Sequence, residues 1–136
     1  MILSKKELKE YIRCERNLYF PDGGLRAFFV SSKNYSIFKY QKYLRKEEFY
    51  GNNLNNFHNK FLYIWYKRKK NILGQRLGFD IPIKCFKAGL HIHHVGPVTI
   101  NANARIGKNC DISGNVCIGS ANGAPSIGDN CMLGYG

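Results

Sequence analysis

INANAR, IGKNCD, ISGNVC, IGSANG, APS, IGDNCM and LGYG follow one another through residues 100–136, with a branched aliphatic residue at the head of every six-residue unit: Ile100, Ile106, Ile112, Ile118, Ile127 and Leu133. The second position is Asn101, Gly107, Ser113, Gly119, Gly128 or Gly134. The fourth is Asn103, Asn109, Asn115 or Asn130 in four units, and the fifth is a compact Ala104, Cys110, Val116 or Cys131 in four. A period of six fits neither the 3.6-residue helix nor a long flat strand. It fits a short strand followed by a corner, repeated as a coil. Three such sides make an 18-residue turn, so Ile100 is expected beside Ile118 at the interstrand spacing of about 4.8 Å. Asn and Gly recur because corners call for positive φ, which costs these two residues least. An antiparallel meander would explain the turns but would not hold the aliphatics in fixed phase.

Upstream the pattern changes from sixes to helical steps. Ser4 with Glu7 forms a capping box before LKEYIRCERNLYF, and a second helical pattern spans about residues 35–50. A third places Leu54, Phe57, Phe61, Ile64, Trp65 and Ile72 at three- and four-residue steps, an apolar face expected to pack on its neighbours. Asp22, Gly23 and Gly24 mark one break, Gly51, Asn52 and Asn53 another. The chain thus divides into a helical region, residues 1–79, and a repeat region, residues 80–136.

The net charge of +12 belongs almost wholly to the first region, which holds 17 Lys and Arg against 6 acids; the second holds 4 against 3. Lys67, Arg68, Lys69 and Lys70 are the densest run and read as a solvated face whose cations suit the C-terminal half of a helix. The same run could hold an anionic lipid surface in a peripheral membrane contact, or an acidic polysaccharide precursor. Nucleic acid is disfavoured, because helical spacing already accounts for the aromatics without base stacking. No stretch approaches the roughly 18 apolar residues of a spanning helix, and MILSKKELKE is no secretory signal, so a cytoplasmic location is expected. Five cysteines without C-x-x-C spacing argue against a disulfide framework or a zinc knuckle, and Cys110 and Cys131 read as packing residues.

Candidate chemistry lies just before the regular units. His94 stands six residues ahead of Ile100 and so takes the aliphatic slot; His91 and His93 read as surface residues, and Asp80 precedes them in GFDIP. Imidazole suits the deprotonation of a hydroxyl, which is a poor nucleophile at neutral pH without a base. H-x-H-H could face a metal from one side of a strand, but no Cys or carboxylate set completes a ligand group, so no metal is expected. Cys117 in DISGNVCIG has no base beside it in the sequence, which leaves it a packing or corner residue.

The units, GFDIP, GLHIHH, VTINANARIGKNC, APSIGDN and MLGYG together resemble the hexapeptide-repeat acyltransferases, over roughly residues 78–136, and within them the serine acetyltransferases and capsular or exopolysaccharide O-acetyltransferases. The resemblance implies an α+β fold, a helical N-terminal region followed by a left-handed parallel β-helix, and a homotrimer. It implies acetyl transfer from acetyl-CoA to an acceptor hydroxyl, L-serine or a sugar hydroxyl of a polysaccharide precursor, with no metal. It makes His94 the base and Asp80 the residue that fixes its tautomer, and it sets coenzyme contacts at Gly119, Ala121 and Gly134. Departures bear on the acceptor: His93 and Ala102 stand where the serine enzymes carry acids, and SANGAPS lacks their Arg-His pair. The repeat stops four residues into a unit at Gly136, so the β-helix reads as truncated and an inactive fragment is the alternative expectation.

Overall fold

The computed structural model describes residues 1–23 and 32–135; Gly24 of the first expected break, and Gly136, lie outside them. Three helices are described: α1 (Lys5–Tyr19), α2 (Lys33–Gly51) and α3 (Phe57–Leu77). The Ser4 hydroxyl accepts from the Glu7 N–H while the Glu7 carboxylate accepts from the Ser4 N–H, so the capping box forms as read. Ser32 and Asn56 cap α2 and α3 by accepting from the Tyr35 and Asn59 N–H groups, without the reciprocal bond. The third helix ends at Gly78, whose φ of 81° few side chains adopt, and a Cβ there would come 2.9 Å from the Gly96 carbonyl group. That close approach turns the chain from α3 into the first strand.

Eight strands follow among the described residues: β1 (Phe79–Asp80), β2 (His91–Ile92), β3 (Val98–Ile100), β4 (Arg105–Ile106), β5 (Asp111–Ile112), β6 (Val116–Ile118), β7 (Ser126–Ile127) and β8 (Met132–Leu133). All pairings are parallel, in the orders β1-β3-β6, β2-β5-β8 and β4-β7. Ile100 pairs with Ile118 as the six-residue phase requires. Asn109, Asn115 and Asn130 take positive φ at the corners, whereas Asn103 does not.

The left-handed parallel β-helix implied by the resemblance is corrected here. The strands are two or three residues long and form three small open sheets, none closed on itself, in a mixed α/β fold. The physical reason lies in the corners: each unit leaves only two or three residues of extended chain between them, so every ladder is short. The register also drifts, because the spacer before Ile127 sets Arg105 beside Ser126 and Asp111 beside Met132, three residues further on than the Ile100 to Ile118 step.

The helices and sheets share one apolar core. Tyr19, Ile37, Tyr40 and Leu44 from the helices pack with Phe79, Ile92, Val98, Ile106, Ile112 and other strand residues. The face of α3 read as packing is the exception: Phe57, Phe61, Ile64, Trp65 and Ile72 are exposed, Phe57 at 86%. The opposite side of α3 meets α2, where Tyr66 stacks on Tyr50, Leu73 and Leu77 pack against the core, and Lys70 is buried against Glu47 at 2.9 Å and donates to the Ile81 carbonyl. Lys70 therefore leaves the expected solvated run, while Lys67, Arg68 and Lys69 keep to it. Among the described residues no helix is long and apolar enough to cross a membrane.

The strands nearest the helices have no preceding strand on that side, and side chains take its place. The Tyr40 hydroxyl accepts from the Ile81 N–H, Gln41 donates to the Leu90 carbonyl, and Arg45 donates to the Phe86 and Lys87 carbonyls. Tyr19 both donates to the Ile92 carbonyl and accepts from the Ile92 N–H, at 3.1 and 2.7 Å. Buried backbone groups are costly when unpaired, so these bonds make a sheet edge compatible with burial. Arg45 is itself buried with Glu15, at 2.6 Å, and Glu48.

Candidate functional site

The histidine strand is held on both sides. Tyr19 clamps Ile92 from the helix side, and on the strand side the His91 and His93 N–H groups donate to the Cys110 and Ile112 carbonyls at 3.0 and 2.8 Å. This register puts Asp111 between the two histidines, because residues two apart on a strand share a face and Asp111 is the residue between their carbonyl partners. His91 Nδ1 and His93 Nε2 both lie on Asp111 Oδ1, at 3.0 and 2.9 Å. A carboxylate oxygen only accepts, so each of these nitrogens carries a proton and the other nitrogen of each neutral ring holds the lone pair.

His91 also meets Tyr19 edge to face at 4.8 Å between ring centroids, and the two imidazoles are 4.1 Å apart. Burial holds the His91 imidazole below the usual histidine pKa; the neighbouring His93 adds to this, and the hydrogen bond to Asp111 opposes it. Both histidines are partly buried rather than the free surface groups the sequence suggested.

His94 is exposed although it occupies the aliphatic slot of the six-residue phase. Its ring lies 6.5 Å from that of His93, and its Nδ1 faces the Lys33 ammonium at 3.2 Å. An ammonium only donates, so Nδ1 holds the lone pair of His94. Gly114, at φ 116°, backs this residue: a Cβ there would stand 3.4 Å from the His94 Cβ.

Asp80 lies apart from this row. It is exposed on β1, in a shallow depression of about 440 Å³ shared with Asn71, Gly74, Gln75, Gly78 and Phe79, and among the described residues no hydrogen bond joins it to His94. Gly119, Ala121 and Gly134 are exposed, and space within 4 Å of a Cβ at either glycine is open. Cys85 and Cys110 are buried, Cys131 only partly so, and Cys117 is exposed. A separate groove of about 460 Å³ gathers Lys84, Lys87 and Arg105 with Asp129.

Sequence reasoning missed the Asp111 contact. The signal that could have found it was the distance of 20 positions between His91 and Asp111, close to one turn of the repeat, but the turn length varies by up to three residues between sheets. Comparison of the chain with protein-family models, with curated proteins and with solved structures finds no match.

Proposed function

We propose that this chain catalyses acetyl transfer from acetyl-CoA to an acceptor hydroxyl, in the manner of the serine acetyltransferases its motifs resemble. The observation that carries the reading is His94: an exposed imidazole beside an anchored histidine strand, with its lone pair assigned to Nδ1 by Lys33. The reading rests on motif residues and on this geometry, not on a β-helix.

In the proposed reaction an acceptor hydroxyl displaces the flexible Lys33 ammonium at Nδ1, and His94 takes the hydroxyl proton as the oxygen attacks the thioester carbonyl. The C–S bond then breaks, the acetyl ester is formed, and the coenzyme thiolate leaves with the proton held by the imidazolium. Backbone N–H groups are the donors for the oxyanion. Asp80, which the resemblance pairs with His94, makes no such contact here, and Asp80→Asn tests its role separately. A homotrimer and a cytoplasmic location go with this reading.

A sugar hydroxyl is the second acceptor, favoured by His93 and Ala102 at positions where the serine enzymes carry acids. Thiol release from acetyl-CoA, measured with L-serine and with nucleotide- or lipid-linked sugars, distinguishes the two. His94→Ala is expected to abolish release with the true acceptor. Release at the wild-type rate in that variant would remove His94 from the role.

A further inference from the structure

We infer that His91, His93 and Asp111 form a binding site for one divalent transition-metal ion. The three donor groups lie within 4.8 Å of one another. Two imidazole nitrogens already converge on a single carboxylate oxygen at 2.9 and 3.0 Å, and an ion with bonds of about 2.0–2.2 Å needs donors roughly 3.4 Å apart. Small rotations of the rings open that space, and each neutral imidazole carries its proton on its other ring nitrogen when the ion is bound, so that the nitrogen facing Asp111 offers its lone pair to the metal. Two imidazoles and one carboxylate suit zinc, cobalt or ferrous iron better than magnesium or calcium, which take oxygen donors.

The site is also supported from behind. Tyr19 bonds both backbone groups of Ile92, the residue between the two histidines, and its ring edge backs His91, so the donors stand on rigid chain. His93 and Asp111 remain partly open to solvent, at 36% and 42% of their side chains, which gives an entering ion access and leaves coordination positions free. This inference does not depend on acetyl transfer, since its readout is binding.

The test is titration of the full chain with zinc by calorimetry and with cobalt by visible absorption. One equivalent is expected to bind, with a nitrogen- and oxygen-ligated cobalt spectrum. Asp111→Asn, which keeps the shape, and His93→Gln should each weaken binding on the order of tenfold to a hundredfold, with circular dichroism unchanged. His58→Ala, on α3, should leave it as it is. Absence of binding, equal binding in Asp111→Asn and His93→Gln, or a thiolate charge-transfer band that assigns the ion to cysteines would overturn the site.

A different observation carries a second inference: the structure assigns the open face of α3 to an anionic lipid surface. Phe57, Phe61, Ile64, Trp65 and Ile72 are exposed along one side of this helix, and Phe61 stacks on Trp65. Contiguous exposed apolar groups of this size mark contact surfaces. The charges beside them are of one sign: the exposed positions of α3 carry Lys60, Lys67, Arg68, Lys69 and Arg76, and the helix has no acid. A second copy would bring cations against cations, whereas anionic headgroups meet the basic flank while the aromatics enter the interface.

Trp65 is the chain's one tryptophan, so its emission reports this face alone. Vesicles of phosphatidylcholine with phosphatidylglycerol are expected to shift it to the blue, and pure phosphatidylcholine to do so far less. Replacing Lys67, Arg68 and Lys69 by Gln should weaken partitioning on the order of a hundredfold; Phe61→Ser with Ile64→Ser should abolish the shift. Unchanged emission with the anionic vesicles, or a lipid-free dimer that buries Trp65 in sedimentation, would overturn the lipid assignment.

Discussion

The two edges of the strand region are built differently. At the edge facing the helices, Tyr19, Tyr40, Gln41 and Arg45 supply hydrogen bonds to Ile81, Phe86, Lys87, Leu90 and Ile92, and the side chains involved are buried. At the edge of β6, β7 and β8, Cys117 and Met132 are exposed, Met132 at 70%, and among the described residues no side chain from a helix is hydrogen-bonded to these strands. A short parallel ladder of two-residue strands has little stability of its own, so its order depends on what pairs with its edge. The candidate chemistry stands on the anchored edge, which is where a preorganised row of imidazoles is physically affordable.

The comparison breaks most readily at Arg45. Arg45→Met removes the partner of buried Glu15 and Glu48 and frees two carbonyls, and it should cost about 3–5 kcal/mol in urea unfolding. A loss under about 1 kcal/mol would mean that Arg45 does not hold the edge. Tyr19→Phe is milder, leaving the Ile92 N–H and carbonyl without their partner, at about 1–3 kcal/mol; it should also loosen the amide exchange of His91 and His93.

Thiol labelling contrasts the edges without a mutation. Burial pushes the Cys110 thiol up to about 11, and Cys85 is also raised by burial, so alkylation near pH 8 should spare both while Cys117 reacts first. Labelling of Cys110 as fast as Cys117 in the native protein would show that the anchored region opens readily. The smallest effect belongs to Met132→Ala, at an exposed position, where thermal unfolding should shift by no more than about 0.5 kcal/mol.

What the sequence disclosed follows the range of the forces involved. Ser4 and Glu7, the Ile100 to Ile118 pairing and the positive φ of Asn109, Asn115 and Asn130 are local or strictly periodic, and were legible. Closure of the sheets was not, because periodicity fixes which residues turn inward but not how far each pairing extends. The face of α3 was misread for a related reason: amphipathic spacing shows that a helix has an apolar side, not that this chain covers it. In α2, Glu47 and Glu48 are buried, paired with Lys70, the Ile2 N–H and the Lys84 N–H, contacts that no local pattern encodes. His94 draws its proposed role from the motif in which it stands, whereas Asp111 joins His91 and His93 only through the register of β2 on β5.

The central claim is that the anchored histidine strand carries the chemistry, with His94 as its base. Its most direct test is thiol release from acetyl-CoA by wild type and by His94→Gln, each supplied with L-serine and with activated sugars. The account predicts acceptor-dependent release by the wild type and at least a hundredfold less by His94→Gln, whose unfolding profile stays unchanged. Equal release by the two proteins, or none by the wild type with any acceptor, would contradict it.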